Sequence, residues 1–233
     1  IAREMQHANR RDRDPIYIAW DEYNVWYRAR GGAAAEGTYA LEEKYNLEDA
    51  LVVGGFLNVF VRNADVVKMA NMAQLVNVIA PIFTNEEGMF RQTIYFPLQL
   101  MAKHMHGTSL DVHVDSETYK KSDFKEGNGA ESGMVEIPYL DVSAAIDGDN
   151  LTIAVINRHL DKAISTDILL QEGSYAGNFE VFEVNGPDIK TQNNFDSEMV
   201  HTTENPTIKA NGDKITYSFA PHSFTLITGK LKK

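Results

Sequence analysis

The chain has 233 residues, of which 43% are hydrophobic and 24% charged, with a formal net charge of −11 and no cysteine. This composition is that of a globular protein and excludes a disordered chain, while the lack of cysteine excludes disulfides and thiolate chemistry. The acidic balance argues against nucleic acid and anionic membranes as partners. No apolar run reaches the roughly 20 residues of a membrane span. Because the chain begins at Ile1 without a signal peptide, we expect a piece of a longer or processed protein.

The composition changes near residue 108, which predicts two parts, residues 1–107 and 108–233. The first part has long apolar segments with few turn residues and predicts an α/β arrangement. The second has short alternating runs separated by Gly, Asn, Asp and Pro and predicts an antiparallel β-sandwich. Its candidate strands are residues 109–114, 140–146, 151–157, 163–170, 178–185, 214–219 and 223–229, with a hairpin turn at 147–150.

In the first part, residues 16–20 form a continuous apolar run that is typical of a buried parallel strand. Residues 47–62 are apolar nearly all round and predict a helix packed between other elements, with Asn46 as its N-cap. Residues 66–79 fit a helix or a strand by periodicity alone. Residues 91–105 predict a second helix from apolar positions three and four apart.

The segment with the most chemistry is residues 20–27, Trp-Asp-Glu-Tyr-Asn-Val-Trp-Tyr, at the end of the first predicted strand. In α/β barrels the active site lies at this end of the strands. Strand alternation puts Trp20 and Glu22 on one face and Asp21 on the other. If the first face points into a barrel, Glu22 is the catalytic candidate and Asp21 a structural one. The alternative is a surface turn with an acidic helix cap and aromatic core residues.

This segment resembles the nucleophile strand of the glycoside hydrolase family 51 α-L-arabinofuranosidases. The resemblance covers most of residues 16–106 and, more weakly, the second part. Its further segments are Asn-Leu-Glu-Asp-Ala-Leu at 46–51, the run at 64–82, Arg-Gln-Thr-Ile-Tyr-Phe-Pro at 91–97 and Pro-His-Ser-Phe-Thr at 221–225.

The resemblance implies an α/β part followed by an all-β part: the C-terminal segment of a (β/α)₈ TIM barrel, with strands seven and eight and their helices, and then a jelly-roll-like β-sandwich. It implies retaining hydrolysis of terminal α-L-arabinofuranosyl units with Glu22 as nucleophile. Residues 66–73 become the eighth strand, and Gln74 matches a glutamine that hydrogen-bonds sugar hydroxyls. Trp26 and Tyr23 are expected at the substrate, and Asn24 is expected to brace the turn.

The same resemblance implies that part of the site is missing. The family's acid/base is a Glu in an Asn-Glu pair after the fourth strand, and this chain starts near the sixth helix. Its Asn-Glu pair, Asn85-Glu86, follows the eighth strand instead. We therefore expect the isolated chain to be inactive and to need the N-terminal part of the enzyme as a partner. The family also implies a homo-oligomer.

No cofactor or metal site is predicted, since His104 and His106 are two residues apart rather than three or four. A second hypothesis is a non-catalytic β-sandwich module for carbohydrate binding or assembly. A third keeps the enzyme and changes its substrate to xylosides or β-glucans. Glu22 and Gln74 favour the arabinofuranosidase. The resemblance favours the cytoplasm, with a secreted or periplasmic protein as the alternative.

Overall fold

A computed structural model describes residues 3–4, 15–27, 42–122 and 134–232 of the chain. The elements described in full are two α-helices and fourteen β-strands. The helices are α1 (Leu47–Arg62) and α2 (Tyr95–His104). The strands are β1 (Ile18–Tyr23), β2 (Val67–Met72), β3 (Ile82–Asn85), β4 (Gly88–Arg91), β5 (Thr108–Leu110), β6 (Thr118–Ser122), β7 (Met134–Pro138), β8 (Leu140–Asp147), β9 (Asn150–Asn157), β10 (Ile164–Leu169), β11 (Tyr175–Asn185), β12 (His201–Lys209), β13 (Lys214–Phe219) and β14 (Ser223–Leu231).

The centre of the molecule is a six-stranded sheet in the order β12-β11-β14-β9-β8-β5, antiparallel throughout. Six of the seven strands predicted after residue 108 are present near their predicted bounds, whereas the one predicted over 109–114 is only the short strand β5. The predicted hairpin turn joins β8 to β9. Gly148 in that turn has a φ of +63°, a conformation that glycine adopts at little cost. Strands β6, β7 and β12 were not among the predicted ones.

The two faces of this sheet carry two separate apolar clusters, because successive residues of a strand point to opposite faces. On one face the sheet packs against both helices, with the side chains Leu47, Ala50, Phe96, Leu100, Ala154, Ile156, Phe224 and Leu226. On the other it packs against the antiparallel pair β10–β13, with Leu151, Ile153, Val155, Phe179, Ile215, Phe219 and Ile227. The first cluster joins residues before 108 to residues after it, and the assignment of the two parts to separate domains stays a prediction.

Helix α1 begins and ends where the sequence predicts. The Asn46 side chain accepts a hydrogen bond from the Asp49 backbone, and the Asp49 carboxylate accepts one from the Asn46 backbone in return. This capping box satisfies two of the N–H groups that a helix start leaves unpaired. Leu47, Ala50 and Val53 are fully buried, whereas Val52 and Val59 are exposed. One apolar side of α1 therefore lies open in the described structure.

Two regions differ from or sharpen the sequence prediction. The ambiguous stretch 66–79 forms strand β2, which ends at Met72. The helix predicted over 91–105 is shorter, because Arg91 ends the hairpin β3–β4 and α2 starts only at Tyr95. Pro97 then lies in the first turn of α2, where its missing N–H leaves no helix bond unmade. Neither α1 nor α2 is long and apolar enough to span a membrane.

Candidate active site

The candidate site lies at one edge of the small sheet formed by β1 and β2. The two strands run parallel, with Ile18 opposite Val67 and Tyr23 opposite Met72. The Ala73 N–H donates to the Tyr23 carbonyl at 3.3 Å, so the pairing continues to the ends of both strands. Parallel strands bring their carboxyl ends to the same edge, as in the mouth of an α/β barrel.

Glu22 and Gln74 both lie at the carboxyl ends of the paired strands. Glu22 is the second-to-last residue of β1, and Gln74 follows the end of β2 by two residues. Both side chains are exposed. An acid and a neutral hydrogen-bonding amide thus follow two paired parallel strands. A carboxylate able to act as nucleophile and an amide able to hold hydroxyl groups are the groups that sugar chemistry uses.

The strand faces differ from the sequence expectation at Trp20. The Trp20 ring lies 6.0 Å from the Phe60 ring of α1, and the Tyr23 ring lies 4.9 Å from the same Phe60 ring. Trp20 therefore points to the helix layer and not to the opposite face. Residues three apart share a face only if the alternation is broken, and the pairing of β1 with β2 shifts register between Trp20 and Tyr23. Asp21 and Glu22 lie inside this irregular stretch, so the face of Glu22 stays a prediction.

Tyr23 and Asp21 occupy different surroundings. The Tyr23 ring is 9% exposed and packs edge-on against Phe56 and Phe60, and its burial raises the pKa of the phenol. The structure places this ring in the layer between strand and helix rather than beside Glu22. Asp21 is exposed, next to the irregularity in β1. A sugar-binding role for Tyr23 and a structural role for Asp21 stay predictions.

The segment after β1 is held by its own side chains. The Asn24 amide oxygen accepts from the Val25 N–H at 2.8 Å, and its Nδ2 donates to the Ile79 carbonyl at 2.5 Å. The Tyr45 hydroxyl donates to the Val25 carbonyl at 2.8 Å. Asn24 is thus bonded both to its own turn and to the loop after β2, as its predicted bracing role requires. Trp26 follows with 56% of its side chain exposed, at the end of a segment with fixed backbone.

Tyr27 anchors the far end of this segment on the start of α1. Its backbone N–H donates to the Glu43 carboxylate at 2.7 Å, and its hydroxyl donates to the Asp49 carboxylate. Burial raises the pKa of Asp49 and outweighs the hydrogen bonds from Tyr27 and Asn46, which lower it. Burial and then the bond to Asp49 raise the pKa of Tyr27. The capping carboxylate of α1 therefore also holds the loop that carries Trp26.

Gln92 is a supporting residue that the sequence reasoning missed. Its side chain is buried, and its oxygen accepts from the Tyr45 N–H at 2.9 Å. Its amide nitrogen, Nε2, donates to the carbonyls of Glu43 at 3.0 Å and Ala80 at 2.8 Å. One amide thus ties the segment before α1 to the loop after β2. Its presence in the segment 91–97 was visible, but nothing local indicated which backbone groups it would reach.

The remaining candidates lie away from this edge. Glu86 is in the turn of the hairpin β3–β4, and Glu204-Asn205 lies within β12. His104 ends α2, and its ring lies 4.8 Å from the Phe182 ring at a tilt of 31°. Across the described ranges, no group of three or more His, Cys, Asp or Glu side chains is arranged to hold a metal ion.

The sequence of this chain is similar to that of a known domain family. Over residues 21–223 the chain matches the sequence model described as the alpha-L-arabinofuranosidase C-terminal domain. A match of this extent assigns the chain to a domain family that is found in glycoside hydrolases. More narrowly, the chain belongs to the alpha-L-arabinofuranosidase C-terminal domain family and represents the C-terminal portion of a family 51 arabinofuranosidase.

Individual relatives of this chain are arabinofuranosidases as well. The probable alpha-L-arabinofuranosidase C of Aspergillus flavus is 40% identical over 217 residues, which are 91% of this chain and 40% of the relative. The intracellular exo-alpha-(1->5)-L-arabinofuranosidase 1 of Bacillus subtilis is 33% identical over 97% of this chain and 44% of its own length. The GH51 alpha-L-arabinofuranosidase structure from Thermotoga petrophila is 31% identical, with a TM-score of 0.77 over 92% of this chain and 43% of that one. The chain thus spans about two fifths of the length of these relatives.

Proposed function

We propose that this chain supplies the nucleophile of a retaining glycoside hydrolase that releases terminal α-L-arabinofuranosyl units from saccharides. The observation that supports the proposal is the parallel pairing of β1 with β2, which places Glu22 and Gln74 at the carboxyl ends of neighbouring strands in a chain of an arabinofuranosidase family. Gln74 holds hydroxyl groups of the sugar. Trp26, exposed on a braced segment, forms an aromatic wall of the pocket.

In the first step the Glu22 carboxylate attacks the anomeric carbon, the bond to the leaving oxygen breaks, and a second carboxylic acid protonates that oxygen. In the second step the second carboxyl group, now ionised, takes a proton from a water molecule. The oxygen of that water attacks the anomeric carbon, which breaks the bond to Glu22 and frees its carboxylate. The two carboxyl groups of such enzymes are about 5–5.5 Å apart. Neither Glu86 nor Glu204 lies at the carboxyl ends of β1 and β2. The family resemblance implies that the acid/base comes from the N-terminal part of the enzyme.

The surface of the chain supports this need for an N-terminal part. Within the described residues β1 and β2 form a sheet of two strands, so each strand has one lateral side with no neighbouring strand to hydrogen-bond. Short parallel sheets are found buried between helices and with further strands, because two strands alone bury too little apolar surface. The large apolar side chains left exposed around this pair and on α1 include Ile16, Tyr17, Trp20, Val52, Val59 and Met69.

We therefore propose that residues 1–107 are the end of a (β/α)₈ barrel with β1 and β2 as strands seven and eight, and that 108–233 form a β-sandwich domain. The missing strands of the barrel then pair with the unpaired lateral sides of β1 and β2, and a neighbouring helix covers Val52 and Val59. Alone, the chain has no hydrolase activity. A homo-oligomer of the complete enzyme is part of the same proposal.

The test combines the chain with its N-terminal part and measures hydrolysis of an aryl α-L-arabinofuranoside. We expect Glu22→Gln to lower kcat by at least about 10³-fold, because loss of a nucleophile removes the covalent route. Glu86→Gln is the matched control, since it makes the same change in the turn of the hairpin β3–β4, and it should keep full activity.

Four results would contradict the proposal. Hydrolysis that survives Glu22→Gln removes Glu22 from the nucleophile role. Activity lost in Glu86→Gln returns the acid/base to this chain, as does activity of residues 1–233 alone. Binding of arabino-oligosaccharides without any turnover by the combined protein would favour a non-catalytic carbohydrate-binding module.

A further inference from the structure

The loop after β2 contains two residues in a left-handed backbone conformation, and neither is a glycine. Asn77 has a φ of 62° and Ile79 a φ of 40°. Asn tolerates this region, but a β-branched residue adopts it only under strain. Such strain persists where surrounding contacts impose it, and it is concentrated at active sites and ligand clamps.

Identified contacts hold the loop in this shape. The Asn77 side chain accepts from the Thr84 N–H at 2.7 Å and from the Thr84 hydroxyl at 3.2 Å. The Asn77 N–H donates to the Ile82 carbonyl at 2.9 Å. The Ile79 side chain packs against the buried cluster of Tyr45, Val53 and Ile94. The strained residue is therefore fixed by its side chain on one side and by its neighbours along the loop on the other.

The carbonyl of strained Ile79 is held from the opposite loop. It accepts the 2.5 Å hydrogen bond from Asn24 Nδ2, while the other end of the same amide accepts from the Val25 N–H. Asn24 follows Glu22 by two residues, and Ile79 follows Gln74 by five. One side chain thus connects the loop behind the acid to the loop behind the amide.

We infer that the Asn24–Ile79 hydrogen bond is a clamp that sets the position of Gln74 relative to Glu22, which makes Asn24 a positioning residue for both loops and not only a brace of its own turn. The inference rests on the proposed function for the roles of Glu22 and Gln74. The clamp itself is a statement about structure and can be tested separately.

The first experiment separates the two bonds of Asn24 in the full 233-residue chain by hydrogen exchange. Asn24→Asp keeps the acceptor for the Val25 N–H but presents an oxygen, not a donor, to the Ile79 carbonyl. Asn24→Ala loses both bonds. If the clamp holds the loop, both variants speed exchange of the Asn77 and Thr84 amides by about 5- to 100-fold, because a lost buried hydrogen bond weakens local structure by that factor.

Amides of β9 and β14 serve as the internal control and should exchange as in the wild type. Wild-type protection of the Asn77 and Thr84 amides in Asn24→Asp, with loss only in Asn24→Ala, would overturn the clamp. That pattern would mean that Asn24 acts on its own turn alone.

The second experiment asks whether Asn24 acts through Gln74, using the enzyme combined with its N-terminal part and an aryl α-L-arabinofuranoside. Asn24→Ala and Gln74→Ala should each lower kcat/KM. The kcat/KM of the double variant should lie within about threefold of that of the less active single variant, because the effects of coupled residues are not additive. A double variant whose fold-loss of kcat/KM equals the product of the two single losses would overturn the inference. Activity retained in Glu22→Gln would instead refute the proposed function, while the exchange result would still decide the clamp.

Discussion

Among single residues, Asp141 at the start of β8 is the most demanding to accommodate. Its carboxylate is 9% exposed, accepts from Arg62 Nη1 and Asn58 Nδ2 of α1 at 2.8 Å each, and pairs with Arg158. The Ser143 hydroxyl donates to the Asn58 oxygen at 2.7 Å, which completes the network. A buried charge is tolerated only when it is paired and hydrogen-bonded in this way. Asp141 therefore fixes α1 to the central sheet.

Asp141→Asn should destabilise the chain by about 3 kcal/mol, because two partly buried arginines lose their shared counter-charge. The change keeps the shape of the side chain, so the loss reports charge rather than volume. Urea unfolding measures it. Asp167→Asn is the control: Asp167 accepts from Thr216 at 2.6 Å and Lys214 at 3.1 Å on the exposed surface, and its loss should change the midpoint little. Equal midpoints for wild type and Asp141→Asn would contradict the role given to Asp141.

The same network fixes the pH dependence. Burial raises the pKa of Asp141, but the hydrogen bonds from Arg62 and Asn58 and the charge of Arg158 outweigh it, so the folded pKa lies below the ordinary value. A carboxyl with a lowered pKa contributes its full stability above the unfolded value of about 3.9 and loses it as the pH falls further. The midpoint difference between wild type and Asp141→Asn should accordingly be constant near neutral pH and shrink below about pH 4.

At the scale of elements, the parts that follow from local chemistry were predicted well. The bounds of α1 follow from the Asn46 cap and a continuous apolar run, and the hairpin β8–β9 follows from its Asp-Gly-Asp-Asn turn. Strand β12 was missed because its side chains alternate weakly and it lies at the sheet edge, where Pro206 costs no ladder bond that the core needs. Helix α2 was placed too early because Arg91 is drawn into β4, where it pairs with Glu198.

Adjacent glycines in α1 test how closely this helix approaches the sheet. A Cβ on Gly54 would lie 2.8 Å from the Phe224 ring and 3.3 Å from Ile156, whereas a Cβ on Gly55 would meet nothing within 4 Å. Gly-to-Ala adds about 1 kcal/mol of helix propensity at either site. At Gly54 overpacking costs about 1–3 kcal/mol against fully buried Phe224.

We therefore expect Gly55→Ala to stabilise the chain and Gly54→Ala to be less stable than Gly55→Ala by at least about 1 kcal/mol in urea unfolding. Both variants share the same propensity term, so their difference isolates the contact with the sheet. Equal stabilisation by the two substitutions would mean that α1 does not pack this closely on β14.

At the scale of the whole molecule, the site was predictable only in part. Glu22 and Gln74 are 52 positions apart in sequence, and they lie at the carboxyl ends of neighbouring strands because β1 and β2 pair in parallel, which the α/β pattern and the family resemblance both predict. The face of Trp20 was predicted wrongly because a register shift inside β1 leaves no mark in the alternation of residue types. The bonds of Gln92 and of Asn24 to distant carbonyls were also invisible, since any backbone carbonyl can accept them.

The exposed apolar surface gives a prediction about assembly. The sequence has two tryptophans, and Trp20 on the helix side of β1 is 49% exposed. In Trp26→Phe, which leaves Trp20 as the fluorophore, addition of the N-terminal part should shift emission to shorter wavelength and reduce iodide quenching, because barrel completion removes apolar surface from water. Trp20→Phe is the control that reports Trp26, whose emission should instead respond to added arabinose once the parts have combined. Unchanged quenching of Trp20 in a complex that forms and hydrolyses substrate would mean that the missing elements pack elsewhere, since a completed barrel covers the helix side of its seventh strand.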